Sequence, residues 1–251
     1  MLCVGTTNWF AANNYKANWP FDTTFTFCNQ AMKKSTTLPV LFSLTLLVGF
    51  FAKQTFSNAP KTPDVAVAKL GELKNGDLIF QTSLSSQSKA VQLATKSKYS
   101  HCGIVYQEGS KFYVFEAVQP VKRTPLQQWI ARGQGGKYVV KRLKNADQVL
   151  TPTVLKKMKQ IGDQFKGKNY DLTFEWSDHK IYCSELIWKV YQRATGLEIG
   201  KLEKLSSFDL SSDAVKKKMK ERYGDKVPLE EPVISPAAVF ESDLLVTVKS
   251  N

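Results

Sequence analysis

The chain has 251 residues, with 35 Lys and Arg against 22 Asp and Glu and a formal net charge of +13. This balance suits an envelope protein that works near anionic lipid or polymer. It does not indicate nucleic-acid binding, because no nucleic-acid motif accompanies it and the lysine runs at 156–157 and 216–218 are typical of solvated helix faces.

The N-terminal part of the chain has the pattern of an export signal. A basic start at 32–34 precedes an apolar run at 38–52 and small residues around Ser57 and Ala59. This order predicts a secretory signal peptide over 32–59 and a periplasmic mature protein. Because the run is shorter than the roughly 20 residues of a membrane-spanning helix, an inner-membrane anchor formed by the uncleaved signal is the less favoured alternative.

Residues 1–31 precede the charged start of this signal and are interpreted as an upstream extension of the reading frame. The mature chain at 60–251 is then long enough for one ordinary hydrophobic core, and we expect a single domain. Of the four cysteines, only Cys102 and Cys183 lie in this mature part.

The mature chain predicts an α+β fold. Short apolar runs bounded by turn residues predict strands at 76–81, 99–107, 111–118, 138–143 and 244–248. Helical periodicity and capping residues predict helices at 85–96, 126–132, 154–165 and 212–222, and a further one that begins near Cys183. Most strands are hairpin neighbours, so we expect an antiparallel sheet or small barrel packed against helices that include the Cys183 helix.

Cys183 stands where this helix begins. The apolar residues behind it recur at the spacing of a buried helix face, and Gly196 ends the run. Unpaired N–H groups and the macrodipole at a helix N-terminus favour the thiolate form of a cysteine. A buried structural cysteine is the alternative interpretation.

A predicted hairpin places His101 and Glu116 on one face of the sheet. A two-residue loop at 109–110 pairs Glu108 with Lys111, and the alternation of side chains then puts His101 and Glu116 on the same face, one diagonal apart. A four-residue loop gives the same register, whereas a three-residue bulged loop would break it. The same register puts Cys102 on the opposite, core face, which argues against Cys102 as a nucleophile.

Cys183, His101 and Glu116 therefore supply the residue types of a nucleophile, a base and a group that orients the base. His179 is a poor alternative base, because an extended segment of four residues would separate it from Cys183 by about 13 Å. Zinc held by the two histidines and two cysteines is disfavoured, because His101 and Cys102 face opposite ways and no CxxC spacing occurs. A disulfide between Cys102 and Cys183 is a further alternative, and it would abolish a thiol role.

Five segments taken in order resemble a known family. The segments at 76–81, 99–105, 115–117, 170–171 and 182–186 are similar to those of the YiiX-like cysteine hydrolases, which are circularly permuted members of the NlpC-type papain-fold superfamily and distantly similar to lecithin:retinol acyltransferase. The resemblance runs from about Leu70 to the C-terminus. In the permuted group the His-bearing strands precede the Cys helix, as they do here.

The resemblance implies that Cys183 is the nucleophile, His101 the base and Glu116 its orienting group, with Tyr170 a candidate for binding the acyl oxygen. It implies hydrolysis of an amide or ester through a thioester, without a metal or organic cofactor. The expected substrate is a lipid acyl group, a cell-wall peptide or another small molecule, and the expected association is peripheral, with anionic membrane or cell wall. The alternatives are a non-catalytic envelope ligand-binding module and an acyltransferase on the same fold.

Overall fold

A computed structural model describes residues 73–251. The predicted extension at 1–31 and the predicted signal peptide at 32–59 lie outside the described residues and stay predictions. None of the helices between residues 73 and 251 is both long enough and apolar enough to cross a membrane.

The described residues form eight strands in two antiparallel sheets. The strands are β1 (Leu78–Gln81), β2 (His101–Glu108), β3 (Lys111–Glu116), β4 (Lys122–Pro125), β5 (Val139–Leu143), β6 (Glu203–Lys204), β7 (Pro232–Val233) and β8 (Leu245–Ser250). The larger sheet has the order β4-β3-β2-β1-β5-β8, and β6 pairs with β7 alone. The larger sheet is open, so the expected α+β fold is present with a sheet and not with a barrel.

Seven helices accompany these sheets in the described part of the chain. They are α1 (Ser86–Thr95), α2 (Leu126–Ala131), α3 (Ala146–Val149), α4 (Pro152–Phe165), α5 (Cys183–Thr195), α6 (Asp213–Tyr223) and α7 (Pro236–Phe240). Three of the helices have side-chain caps: the hydroxyls of Ser85, Thr151 and Ser212 accept hydrogen bonds from the backbone N–H three residues further on, at 3.2–3.4 Å. Each such cap stabilises its helix by about 1 kcal/mol.

The sheet is buried on both faces, and period-two alternation along its strands explains how. Leu78 and Phe80 of β1 point into one core, which α5 covers with Leu186, Ile187 and Val190, among others. Ile79, between them, points into the opposite core, where Trp129 of α2 packs. The start of β2 thus lies between α5 on one face of the sheet and α2 on the other.

The five predicted strands are confirmed, and the sixth strand of the main sheet was missed. Residues 122–125, which form β4, are mostly polar and include Pro125. A proline is tolerated at the edge of a sheet, where its missing N–H costs no ladder bond. The expectation of mostly consecutive hairpins was only partly right, because β5 pairs with both β1 and β8.

Candidate active site

Cys183 is the first residue of α5, and the chain fixes this helix start firmly. The Tyr182 hydroxyl accepts a hydrogen bond from the Ile234 N–H at 3.1 Å, and the Ser184 hydroxyl donates to the Ile234 carbonyl at 2.7 Å. A Glu185 carboxylate oxygen accepts from the Tyr182 N–H at 3.4 Å. Cys183 is only 3% exposed. The thiol is therefore held at the positive end of a 13-residue helix.

His101 and Glu116 meet as the hairpin register predicts. The observed register pairs Glu108 with Lys111, and His101 Nε2 lies 2.6 Å from Glu116 Oε2. The Trp129 ring is stacked on the imidazole, with centroids 5.9 Å apart and planes 25° from parallel. Since Nε2 is bonded to Glu116, Nδ1 is the ring nitrogen available to interact with the Cys183 sulfur.

Glu116 has two further partners that the sequence did not indicate. Its other oxygen, Oε1, accepts hydrogen bonds from the Thr124 hydroxyl at 2.6 Å and from the Arg132 guanidinium. Burial alone raises the pKa of this fully buried carboxyl, but the hydrogen bond and charge of His101, helped by Thr124 and Arg132, lower it below its usual value. Both oxygens of the Glu116 carboxylate are therefore held by hydrogen bonds.

Cys183 and His101 lie close enough for each to shift the pKa of the other. Burial disfavours the imidazolium, yet the hydrogen bonds with Cys183 and Glu116 raise the pKa of His101 to about 9. The pKa of Cys183 lies well below its usual value, because its sulfur accepts a hydrogen bond from the Cys102 thiol and also interacts with His101 through a hydrogen bond and its charge. At neutral pH the pair is thus a thiolate beside an imidazolium, which is the reactive form of a cysteine nucleophile.

Cys102 has a role beyond the one that its predicted face implied. It is fully buried in the core, as expected, but α5 covers this same core, and the two thiols are in contact. Both are free thiols, so the disulfide alternative is not the state of this structure. Burial and the Cys183 thiolate raise the pKa of Cys102, which keeps it protonated as a donor.

Replacing Cys102 with Ala is therefore expected to raise the pKa of Cys183, because the strongest of the hydrogen bonds that lower it is removed. Alkylation of Cys183 by iodoacetamide at pH 6 should become several-fold slower, with the midpoint of the pH–rate curve moved upward. Mass spectrometry of the labelled peptide measures the rate. Cys102→Ser is the matched variant, because its hydroxyl can still donate. A midpoint for Cys102→Ala equal to that of the wild type would contradict the assignment.

Tyr170 lies beside the start of α5 through a short stretch of backbone pairing. The Ile181 N–H donates to the Asn169 carbonyl at 3.2 Å, and the Asp171 N–H donates to the Ile181 carbonyl at 3.1 Å. Tyr170 and Cys183 line the same cavity. Burial and the neighbouring thiolate raise the pKa of Tyr170 well above its usual value, so the hydroxyl keeps its proton and remains a donor.

Two cavities, one apolar and one more polar, adjoin each other beside Cys183 and His101. An apolar cavity of about 680 Å³, including its open mouth, reaches Cys183 between α1 and α6 and is lined by side chains such as Val91, Ala94, Phe208 and Met219. A more open and more polar groove of about 1130 Å³ contains His101. Gln87, Ser100 and Tyr170 line both cavities. Sequence reasoning did not find Gln87, which lies about 80 residues from Tyr170 along the chain.

Comparisons with known proteins agree on one family. The model of the permuted papain-like amidases of the YaeF/YiiX type, the C92 family, matches residues 72–249. YiiX of Escherichia coli K12 is 54% identical over 175 residues, which are 70% of this chain and 85% of that protein. A crystal structure of yiiX from Escherichia coli O157:H7, named there a metalloprotein, is similar with a TM-score of 0.69 and 52% identity, over 72% of this chain and 98% of that one.

A metal ion does not fit the site residues of this chain. Between residues 73 and 251, no three His, Cys, Asp or Glu side chains are grouped so that they could hold one. His179, which a zinc site would need, is exposed in the segment before α5. Of the two histidines, His101 is the buried one, and Cys183 shifts its pKa.

Proposed function

Because the chain belongs to the family of permuted papain-like amidases that includes YaeF and YiiX, we propose that it is a cysteine hydrolase that cleaves an amide or ester bond through a thioester on Cys183. The observation that carries this proposal is the placement of Cys183 at the start of α5 beside His101, whose Nε2 is held 2.6 Å from Glu116. A nucleophile, a base and an orienting carboxylate are the groups that acyl transfer to a thiol requires.

The proposed reaction has two halves. The Cys183 thiolate attacks the carbonyl carbon, and the charge that forms on the carbonyl oxygen is stabilised by the Cys183 N–H and the Tyr170 hydroxyl. A donor of this kind contributes about 10²–10³ in rate. His101 gives its Nδ1 proton to the leaving nitrogen or oxygen as the C–N or C–O bond breaks. Neutral His101 then takes a proton from water, the water oxygen attacks the thioester, and the C–S bond breaks to release the acid and restore the Cys183 thiolate beside imidazolium His101.

The two cavities support the binding of the two parts of the substrate at different places. The nucleophile opens on the apolar cavity and the proton donor opens on the polar groove, so the acyl part belongs with Cys183 and the leaving group with His101. An almost wholly apolar lining suits a hydrocarbon chain better than a cell-wall peptide, whose amides would be left without partners. We therefore propose a lipid acyl group as the substrate class.

The test uses the full 251-residue chain, expressed and collected from the periplasm. A mass that begins after Ser57 or Ala59 supports the proposed export. The purified protein is then mixed with 4-nitrophenyl esters of acyl chains of increasing length and with a peptide ester. We expect a burst of nitrophenol and a thioester on Cys183 that hydroxylamine removes, faster for medium-length chains than for the peptide.

Val91→Phe, which narrows the apolar cavity, should shorten the longest acyl chain that is accepted. Val246→Phe makes the same change at a strand position that is 45% exposed and should leave chain-length preference unchanged. The absence of a thioester on Cys183 with every ester would overturn the proposal. Lipid binding without turnover, unharmed by Cys183→Ala, would favour a binding module instead. Transfer of the acyl group to an added amine in preference to water would favour an acyltransferase.

A further inference from the structure

The direction of one hydroxyl proton decides whether Tyr170 can help the proposed reaction. A tyrosine hydroxyl has a single proton to donate, and the same oxygen can also accept. We infer that Gln87 and Arg222 are positioning residues that turn the Tyr170 proton toward the reacting carbonyl. This inference rests on the proposed function and concerns two residues other than the proposed nucleophile, base and orienting carboxylate.

Arg222 fixes the orientation of the Gln87 amide. Its Nη2 donates to Gln87 Oε1 at 2.8 Å, and a guanidinium has donors only, so the amide oxygen has to face Arg222. The guanidinium itself lies over the Phe174 ring, 5.2 Å from the ring centroid. The next residue, Tyr223, donates its hydroxyl proton to the Thr173 carbonyl. Arg222 is therefore anchored on both sides, and the Gln87 amide has one favourable orientation.

With its oxygen toward Arg222, Gln87 presents its NH₂ group to Tyr170. Gln87 Nε2 lies 3.1 Å from the Tyr170 hydroxyl oxygen. An amide NH₂ can only donate, so the tyrosine oxygen accepts this bond and its own proton must point elsewhere. Cys183 lines the same cavity as Tyr170, so its sulfur is the acceptor at rest, and the carbonyl oxygen takes its place once attack begins. The chain of donors Arg222, Gln87 and Tyr170 thus runs in one direction, toward the nascent negative charge.

These three residues come from separate elements that build one cavity. Gln87 lies on α1, Tyr170 precedes α5, Arg222 lies on α6, and all three line the apolar cavity. The contact between α1 and α6 that forms the proposed acyl site therefore also orients the donor for the acyl oxygen.

Gln87→Glu is the most direct test, because it keeps the shape and reverses one hydrogen bond. A carboxylate still accepts from Arg222, so the anchor remains, but its second oxygen accepts from Tyr170 and draws the hydroxyl proton away from Cys183. We expect acylation by the nitrophenyl ester to slow by about 10²-fold, to the level of Tyr170→Phe. The double variant should be no slower than either single variant. The pH–rate midpoint of iodoacetamide alkylation should shift upward equally in all three.

Gln92→Glu is the matched control, because Gln92 lies on the same helix and donates to Ser88 at 2.9 Å, away from Tyr170. It should behave as the wild type in both assays. The alkylation assay needs no substrate, so it separates the two proposals. If the alkylation midpoint shifts in Gln87→Glu but the wild-type protein is not acylated by any ester, the positioning role stands and the hydrolase is refuted. If the wild-type protein is acylated and Gln87→Glu has the same acylation rate and the same alkylation midpoint, the positioning role is refuted and the hydrolase stands.

Discussion

Cys183→Ala is expected to abolish hydrolysis, lowering kcat by at least about 10⁵-fold, while the domain stays folded. Removal of the nucleophile from a set of groups that act as a unit leaves only the residual catalysis of binding and oxyanion donors. Alanine is a favourable residue at the first position of a helix, and the substitution leaves no buried charge at that position. Turnover of the best acyl ester, measured against the uncatalysed rate, checks the loss.

The same variant should also change His101. The hydrogen bond with Cys183 is the strongest of the interactions that raise the pKa of this histidine to about 9, so in Cys183→Ala that pKa should fall. Histidine is used only twice in the chain, which makes an NMR titration simple to assign. Cys102→Ser is the control, because it changes a thiol at the same place and keeps both the proposed nucleophile and a donor to it. Hydrolysis by Cys183→Ala at more than about one hundredth of the wild-type rate would mean that another group is the nucleophile.

Glu116→Gln is expected to lower kcat by about 10³–10⁴-fold without unfolding the protein. Oε1 of Glu116 accepts from two donors, Thr124 and Arg132, so the oxygen of the new amide has to take that position. The NH₂ group then faces His101 Nε2, which must become an acceptor. The imidazole is left as the neutral tautomer with its proton on Nδ1, facing Cys183, and it can no longer accept the thiol proton.

Thr124→Val is the matched control for this prediction. It removes one donor to Oε1 but leaves Arg132 in place and does not touch the bond between Oε2 and His101, so we expect a loss of less than about tenfold. Both variants should be compared by acyl-ester turnover, by the midpoint of Cys183 alkylation, which should move upward only in Glu116→Gln, and by thermal unfolding. Glu116→Gln activity within about tenfold of the wild type would contradict the orienting role.

The part of the site that lies close together in sequence could be predicted from it. A tight hairpin has one register, and strand residues alternate with period two, so the shared face of His101 and Glu116 followed from the loop at 109–110. The starts of α1 and α4 could be predicted to within a residue or two from their Ser and Thr residues, because a cap is a local hydrogen bond. The start of α5 at Cys183 followed from the apolar spacing behind it.

The contacts that join distant elements could not be predicted in this way. The face of Cys102 was assigned correctly, but nothing local indicated that α5 would cover that face and bring Cys183 against it. Arg222 and Gln87 are 135 residues apart, and no periodicity encodes a hydrogen bond between two helices that far apart. Thr124 was missed because it lies on β4, where a polar edge strand with a proline resembles a loop.

The order of the site residues along the chain has a consequence for the folding of this protein. The hairpin of β2 and β3 leaves the ribosome well before Cys183, and contacts between adjacent strands are local and form quickly. His101 and Glu116 can therefore meet while Cys183 has yet to be synthesised. Until α5 packs on β2, Cys183 lacks both Cys102 and His101 and is an ordinary, slowly reacting thiol. Its alkylation rate during refolding thus reports the docking of α5, and an incomplete chain carries no activated nucleophile.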